Sequence, residues 1–418
     1  MNTSTGHVAL RAAQPYRLTH PFVAHAAAMV PLAVAAFVDL PRELPAGPLS
    51  TMGVLTIVQV VIVGAGLLAC ARYPPYLLLK VLPFAGFLAW AAMRTMWEVP
   101  GIATIQNGLV YLLFGLAITL AGTLAAHNPA LTASLINESV RRMDYIALGL
   151  VAVSVLRDGL PTTNDAWLIG PRAVALLGLI PFSWHLARWQ YGYPGAGTRS
   201  VLWVGAILSS LSRTASAIAL LYVAAVFTRQ MLFSTRRMLP KLPLVAAAAV
   251  VLGAVLYSIP LEERFLTGDT SIRIGGVAVN ASGRLDIWAA VVESGRHRPF
   301  VGQGLGSSNM AVAYMGPTVG HPHNDYLRVW HDLGYVGATL LVTTFVVWIR
   351  TLRGSWRRAR RRPDELVPLQ LAAYLTLLAL VASALTDNTL VYPFVMGPSG
   401  VIIGAGLGVS VWRYRRPL

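Results

Sequence analysis

The sequence predicts an all-α polytopic membrane protein with about 12 transmembrane helices and one larger loop region on the non-cytoplasmic side. Three observations predict this class. The 418 residues are 56% hydrophobic and only 12% charged, which is roughly half the charge of a soluble domain. Apolar runs recur at lengths near that needed to cross a bilayer, where only helices satisfy the backbone in a chain of this pattern. Basic residues concentrate in alternate loops, as they do in cytoplasmic loops.

The apolar segments are predicted as helices in chain order, within a single integral membrane domain over residues 1–418. With the N-terminus in the cytoplasm, most of the 33 basic residues fall in cytoplasmic loops, and both termini lie there. Residues 200–228 are predicted as two short helices meeting near Arg213, because one long helix would move Arg188 and Arg199 outside. The predicted helices span residues 22–39, 51–71, 77–95, 104–125, 144–157, 171–187, 200–212, 214–228, 242–260, 333–350, 366–385 and 394–412.

The longest predicted non-cytoplasmic stretch is 261–332, and it is polar and rich in glycine. Within it, residues 283–295 predict a short amphipathic helix that can lie flat at the membrane interface. Its predicted apolar face carries Leu285, Trp288, Ala289 and Val292. No separate soluble domain is expected.

Net charge and cysteine content exclude other classes. A formal charge of +16 would suggest a nucleic-acid partner in a soluble protein. In a polytopic protein the same charge fixes the topology, so no nucleic acid is expected. The single cysteine, Cys70, lies in an apolar run, which excludes an internal disulfide.

Arg213 is the first candidate site residue, because an arginine between two membrane helices is energetically expensive. One interpretation is that its side chain extends to the interface as an anchor. The other is an anion site, since a guanidinium matches phosphate oxygens with a planar set of donors. Ser212 and its hydroxyl-bearing neighbours add donors beside it.

Further cations are expected on the same side. Arg284 lies in the first turn of the predicted interfacial helix, where it either pairs with an acid such as Asp286 or forms a second phosphate ligand. Arg172 and Arg328 lie near helix ends, and each either lines a substrate pocket or anchors its helix.

His323 is the candidate for proton transfer, in the string GHPHNDYL. Asn324 follows it and can hold an imidazole or a sugar hydroxyl. His321, His323, Asp325 and His331 also offer metal ligands, but their spacing fits no closed zinc motif. The string GQGLGSSN at 302–309 lacks the GK[ST] of a phosphate-binding loop, and it is interpreted as turn formation.

These motifs together resemble the bacterial O-antigen ligase family and the related O-antigen and exopolysaccharide polymerases. The family's serine-arginine pair between two membrane helices matches Ser212-Arg213, and its glycine-arginine pair in the large periplasmic loop matches Gly283-Arg284. Its His-Asn pair before a late membrane helix matches His323-Asn324. The motifs that carry this resemblance lie between about residues 200 and 340. Elsewhere in the chain the resemblance rests on the hydropathy pattern alone.

The resemblance implies a metal-independent, inverting glycosyltransferase of the bacterial inner membrane, with its active site at the periplasmic face and no cofactor. The donor would be a glycan on undecaprenyl diphosphate, and the acceptor would be lipid A–core in a ligase. His323 would act as general base, with Arg213 and Arg284 stabilising the diphosphate. Arg172, Ser212, His321, Asn324 and Arg328 are expected to bind substrate.

Two alternatives remain at this point. A polymerase would use the same donor and take another lipid-linked repeat as acceptor. A lipid or solute transporter, or flippase, also suits about 12 helices, but it needs ionisable groups near the bilayer midplane. The charged candidates gather instead on one outer face.

Overall fold

The computed structural model describes residues 21–37, 51–71, 73, 77–97, 101–161, 167–233, 272–274, 277–279, 283–313, 315 and 321–415. These residues are almost wholly helical, which confirms the predicted all-α class for them. One antiparallel hairpin is the exception, pairing β1 (Ile272–Ile274) with β2 (Val277–Val279). The predicted helix 242–260 lies outside the described residues, as does part of the predicted loop 261–332.

Helices follow one another in the order that hydropathy predicts, with differences at their ends. The described helices are α1 Pro21–Val34, which continues as a 3-10 turn Ala35–Phe37, α2 Thr51–Ala69, α3 Leu78–Met96, α4 Ile102–His127, α5 Pro129–Asp158, α6 Pro171–Gln190, α7 Ala196–Ser209, α8 Arg213–Phe233, α9 Arg284–Gly295, α10 Ser307–Ala313, α11 Asp325–Ala359, α12 Val367–Ser383 and α13 Pro393–Arg415, with a 3-10 turn Thr389–Val391 before α13.

Four of the described helices are long and apolar enough to cross a membrane. They are Met52–Ala69, Ile102–His127, Asp325–Ala359 and Pro393–Arg415. Shorter apolar helices cover Phe22–Phe37, Arg213–Val226 and Val367–Ser383. The length and apolar composition of these helices therefore indicate a membrane protein. The total of about 12 membrane spans stays a prediction.

Helix α5 begins 15 residues before the predicted 144–157, counting from Pro129 to Asp144. The segment was not predicted because its Glu138, Arg141 and Arg142 interrupt the apolar pattern. These charges instead form exposed ion pairs one helical turn apart. The Asn128 side chain starts the helix by accepting a hydrogen bond from Leu131 N, 3.2 Å away.

The centre of the bundle is the contact between α4 and α13. Glycines spaced four residues apart on α13 let the two backbones touch, as in small-residue helix pairs within membranes. A Cβ on Gly404 would lie 2.4 Å from the Ile118 carbonyl oxygen, and one on Gly408 would lie 2.1 Å from that of Gly122. Side chains larger than hydrogen would separate α13 from α4 at both points.

Helix α11 is broken at Gly334, whose backbone angles are φ 67° and ψ −170°. The break is specified by this glycine, because the left-handed region disfavours other residues and a Cβ here would lie 2.2 Å from the Phe300 carbonyl oxygen. The predicted apolar helix 333–350 is thus preceded by a separate helical segment from Asp325 to Leu333.

The glycine-rich string, together with Pro299 and Trp90, pairs with the backbone groups that this break leaves without helical partners. It forms turns, as the sequence predicts, and it is also held against α11 by hydrogen bonds. We call this set of hydrogen bonds the clasp. The hydrogen bonds are Gln303 N to His331 O (2.9 Å), Gly304 N to Asp332 O (2.9 Å), Tyr335 N to Pro299 O (2.9 Å) and Trp90 Nε1 to Leu333 O (2.8 Å). Buried backbone groups require such partners, so the string fixes the segment that follows His323.

The buried Asp332 carboxylate completes the clasp by accepting hydrogen bonds from Gly306 N and Ser308 N, both at 2.8 Å. His331 bonds to Asp332 Oδ1 at 3.1 Å through Nδ1 and to Ser294 Oγ at 3.0 Å through Nε2. His331, one of the residues considered as metal ligands, therefore links α9 to α11.

A break at residues 210–212 separates α7 from α8, which confirms the predicted division of 200–228 into two helices. Leu211 takes a positive φ of 55° in this turn, and Arg213 becomes the first residue of α8. The membrane side on which the turn lies stays a prediction.

Candidate functional site

Each of the three sequence motifs lies at the start of a helix, and a residue with positive φ either precedes the motif or is its first member. Leu211 (φ 55°) precedes Ser212-Arg213, Gly283 (φ 67°) precedes Arg284, and His323 (φ 53°) precedes Asn324. Leu211 and His323 are the non-glycine residues with positive φ in the described part of the chain. Such strained backbone tends to occur at functional sites.

His323 lies at the centre of the candidate site. Its Nδ1 atom is 2.6 Å from Nη2 of Arg172 and 3.1 Å from Nδ2 of Asn388. Its backbone N–H donates to Asn388 Oδ1 at 3.0 Å. Trp288 of α9 donates to the carbonyl of Pro322 at 2.9 Å, which holds the loop that carries His323.

Arg172 is positioned by Asp387, which the sequence did not suggest. Its Nε donates to Asp387 Oδ1 at 2.8 Å, and its Nη2 contacts the same oxygen. The guanidinium also lies 5.9 Å from the ring centroid of Tyr392, a cation–π arrangement. Asp387 is 4% exposed, so this ion pair is more persistent than a surface one.

A second ion pair lies deeper, between Arg328 and Asp325, both of which are 0% exposed. Their Nη1 and Oδ1 atoms approach to 3.1 Å without hydrogen-bond alignment. Arg328 also donates through Nη2 to Asn388 Oδ1 at 2.7 Å, and Asp325 Oδ2 accepts from Leu390 N at 2.7 Å. The pair thus joins α11 to the linker that carries Asp387 and Asn388.

Arg213 and Arg284 approach the same centre. Thr214, next to Arg213, forms a short hydroxyl–hydroxyl hydrogen bond with Thr386, next to Asp387. Burial lowers the pKa of Arg284, and repulsion from Arg213 and Arg172 lowers it further, while Asp387 opposes them. Arg284 therefore interacts electrostatically with Arg172, Arg213 and Asp387.

The positive potential extends to the two histidines. Burial lowers the pKa of His323 to about 3, and Arg172 and Arg284 add to the effect. Burial lowers the pKa of His321 to about 4, with contributions from Arg328 and Arg172. Both imidazoles are therefore neutral at pH 7, and the site is suited to an anion.

The remaining predicted site residues have structural contacts. The Asn324 side-chain oxygen accepts from Leu327 N at 3.0 Å and caps α11. His321 lies 3.3 Å from Asn309 Oδ1 through Nδ1. Ser212 precedes Arg213, and its carbonyl accepts from Ser216 N in the first turn of α8. Their predicted contacts with substrate stay predictions.

The amphipathic helix predicted over 283–295 corresponds to α9. The residues buried against the protein are Ile287, Val291 and Gly295, not the predicted apolar face. Leu285 and Ala289 of that predicted face are exposed, while Trp288 is turned to Pro322. The predicted face was expected at the membrane interface, so the exposure of these two residues does not contradict that prediction, and the position at the interface stays a prediction.

No group of three or more potential metal-ligating side chains lies together within the residues that the structure describes. Of the four residues considered as ligands, Asp325 is paired with Arg328 and His331 with Asp332 and Ser294. They are therefore dispersed over two separate clusters.

Sequence interpretation missed Asp387 and Asn388 because they lie in a linker of only nine residues between α12 and α13, from Ala384 to Tyr392. A signal was present in the sequence TDNTLVYP at 386–393. An acid and an amide between two apolar helices, in a protein with several arginines predicted on the outer face, indicate a counter-charge for them.

Acidification is expected to destabilise the fold through His321 and His323. Their folded-state pKa values, about 4 and about 3, lie below the unfolded value of about 6.5. The unfolded chain therefore binds more protons between these values, so stability is lost as pH falls below about 6.5. The melting temperature in detergent should fall from pH 7 to pH 5, and this fall should be smaller in the double variant His321→Asn/His323→Asn.

His297 provides the control for this measurement, because it is exposed. His297→Asn should keep the wild-type dependence of melting temperature on pH. An unchanged dependence in the double variant would contradict the assignment of neutral, buried imidazoles.

Comparison with known families places these residues in context. Residues 199–342 match the family model described as O-antigen ligase, which confirms the resemblance seen in the three motifs. The match covers about one third of the chain and contains Arg213, Arg284 and His323. Arg172 and the Asp387-Asn388 pair lie outside it. No curated protein matches the chain.

Proposed function

We propose, on the premise that residues 199–342 form an O-antigen ligase domain, that the protein transfers a glycan from undecaprenyl diphosphate to an acceptor sugar. The observation that carries this proposal is a cluster of guanidinium groups beside His323, in which Arg172 and Arg284 act on the imidazole and Arg213 acts on Arg284. Asp387 is the buried acid that pairs directly with one of them. A site with this excess of guanidinium groups suits a diphosphate, whose oxygens accept planar pairs of hydrogen bonds.

The reaction follows from this charge arrangement. The acceptor hydroxyl oxygen forms a bond to the anomeric carbon and loses its proton to water, and the bond from that carbon to the diphosphate oxygen breaks. Its electron pair stays on the diphosphate, which gains negative charge that the arginines stabilise. A single displacement inverts the anomeric centre. No metal or nucleotide is required in this scheme.

The lipid A–core oligosaccharide is the proposed acceptor, which makes the protein a ligase. The alternative is a polymerase that takes a second lipid-linked repeat, since both reactions use one donor and one leaving group. An assay that offers both acceptors distinguishes them by product mass.

The proposed location is the periplasmic face of the bacterial inner membrane, with both termini in the cytoplasm. Basic-residue asymmetry supports this orientation. The helix starts that carry Arg172, Arg213 and Arg284 interact with one linker, 384–392. They therefore share one side of the bundle, which agrees with a single active site at one face.

One feature favours the transporter alternative. Asp144 and His185 are buried between α5 and α6, with Nε2 of His185 2.8 Å from Asp144 Oδ2. Trp203 donates to the other Asp144 oxygen at 2.8 Å. Buried ionisable pairs occur in transport pathways, and the sequence did not predict this one. We propose a structural role, because both carboxylate oxygens are satisfied by fixed helices.

The test is transfer by the purified protein in liposomes, without an ion gradient. An undecaprenyl-diphosphate-linked oligosaccharide serves as donor, and mass spectrometry follows the acceptor. Wild-type protein should extend lipid A–core. His323→Ala, inserted and folded by its melting temperature, should lose transfer by about 10²-fold or more. Gradient-dependent flux with no extended acceptor would favour a transporter and refute the proposal.

A further inference from the structure

We infer that His323 faces the substrate with its proton on Nε2, as a hydrogen-bond donor to the diphosphate, and that Arg172 and Asn388 impose this tautomer. The inference rests on the proposed function for the identity of the substrate. It assigns His323 a role different from the general base that the family resemblance implies, and it makes Asn388 a positioning residue.

The hydrogen bonds at Nδ1 determine the tautomer. Arg172 Nη2 lies 2.6 Å from Nδ1, and a guanidinium can only donate. Asn388 Oδ1 accepts from His323 N at 3.0 Å and from Arg328 Nη2 at 2.7 Å. These two donors fix the orientation of the amide, so it is the Nδ2 amino group that lies 3.1 Å from Nδ1.

Two donors directed at one nitrogen require a lone pair there. A neutral imidazole carries a single N–H, so that proton is on Nε2. Protonating the ring would place an N–H on Nδ1 against both donors, next to the charge of Arg172. The neutral Nε2–H form is therefore maintained, and the depressed pKa of His323 agrees with it.

This tautomer is unsuited to base catalysis in the resting site. A general base needs an open lone pair within reach of the acceptor hydroxyl, and the only lone pair of this imidazole is occupied by Arg172 and Asn388. Within the described part of the chain, the hydrogen bonds of His323 involve its Nδ1 and its backbone N–H. Nε2–H is left for the ligand.

The donor role fits the charge balance of the reaction. Nε2–H donates to a diphosphate oxygen as the anomeric C–O bond breaks and the electron pair moves onto that group. The acceptor hydroxyl oxygen bonds to the anomeric carbon, and its proton leaves to water. Asp387 supports the arrangement by holding Arg172 through Nε at 2.8 Å.

Amide replacements test the role of each nitrogen separately. The amino group of His323→Gln can occupy the position of Nε2–H, whereas that of His323→Asn corresponds to Nδ1. Neither amide is a useful base. We expect His323→Gln to lose at most about tenfold in transfer rate, and His323→Asn and His323→Ala to lose about 10²-fold or more. The donor substrate is the undecaprenyl-diphosphate-linked oligosaccharide.

Comparable losses in folded His323→Gln and His323→Ala would overturn the donor role, because both lack a base and only one keeps the donor. Absence of transfer by wild-type protein would instead refute the proposed function. The two failures are therefore distinguishable.

Nitrogen NMR of 15N-histidine-labelled protein in liposomes measures the tautomer without substrate. The His323 signal, assigned by its loss in His323→Asn, should show a protonated Nε2 and an unprotonated Nδ1 from pH 5 to pH 8. Asn388→Asp replaces the donor at Nδ1 with an acceptor, so it should raise the pH at which His323 titrates. A protonated Nδ1 in the wild-type protein would overturn the inference.

Discussion

Replacing Arg213 with lysine will lower glycan transfer by about 10²-fold or more while leaving the protein folded. Lysine keeps the charge but loses the planar set of donors that matches two phosphate oxygens at once. Arg213 lies at the start of α8, and its charge acts on Arg284 across the site. An arginine that served only as a membrane anchor would tolerate this change.

Arg296→Lys is the matched control, because Arg296 is an exposed arginine directly after the last residue of α9, paired with Glu293. Its transfer rate should equal that of the wild type. Initial rates with the undecaprenyl-diphosphate-linked donor should be measured for both variants, with melting temperatures alongside. Near-normal turnover by Arg213→Lys would remove this guanidinium from diphosphate binding.

Replacing Arg328 with methionine should lower the free energy of unfolding by about 3–5 kcal/mol. Methionine leaves the Asp325 carboxylate without its counter-charge in a place that is 0% exposed. It also removes the Nη2 donor from Asn388 Oδ1, so the linker that carries Asp387 loses one of its contacts with α11. Thermal or denaturant unfolding in detergent measures the loss.

The double variant Asp325→Asn/Arg328→Met separates charge from packing. Asparagine keeps an oxygen for Leu390 N, which Asp325 Oδ2 now binds at 2.7 Å, but carries no charge. The double variant should therefore be more stable than Arg328→Met alone. Equal stability of the two variants would mean that Arg328 acts through its volume and not through its charge.

The predicted site was incomplete in a specific way. Arg213, Arg284 and His323 were predicted as site residues from local motifs, namely an arginine between two membrane helices, a glycine-arginine pair and a histidine-asparagine pair. Their counter-charge could not be identified in this way, since Asp387 and Asn388 lie 215 and 65 positions from the residues they bind. Contacts between remote positions leave no periodic signal in a single sequence.

The clasp around α11 illustrates the same limit. The glycine-rich string predicted turns, and turns are present. Its second role depends on Gly334 breaking α11, which frees the His331 and Asp332 carbonyls for Gln303 and Gly304. That pairing depends on where two segments meet in space.

By itself, the sequence determined that this is a helical membrane protein with cationic and histidine motifs of the O-antigen ligase type. Hydropathy and local residue order specify helices because each backbone bond in a helix closes within five residues. Only the tertiary structure decided which charged side chains lie close together, and it supplies the contacts from which the tautomer of His323 is inferred. Those properties depend on burial and on neighbours from other helices, which local sequence does not encode.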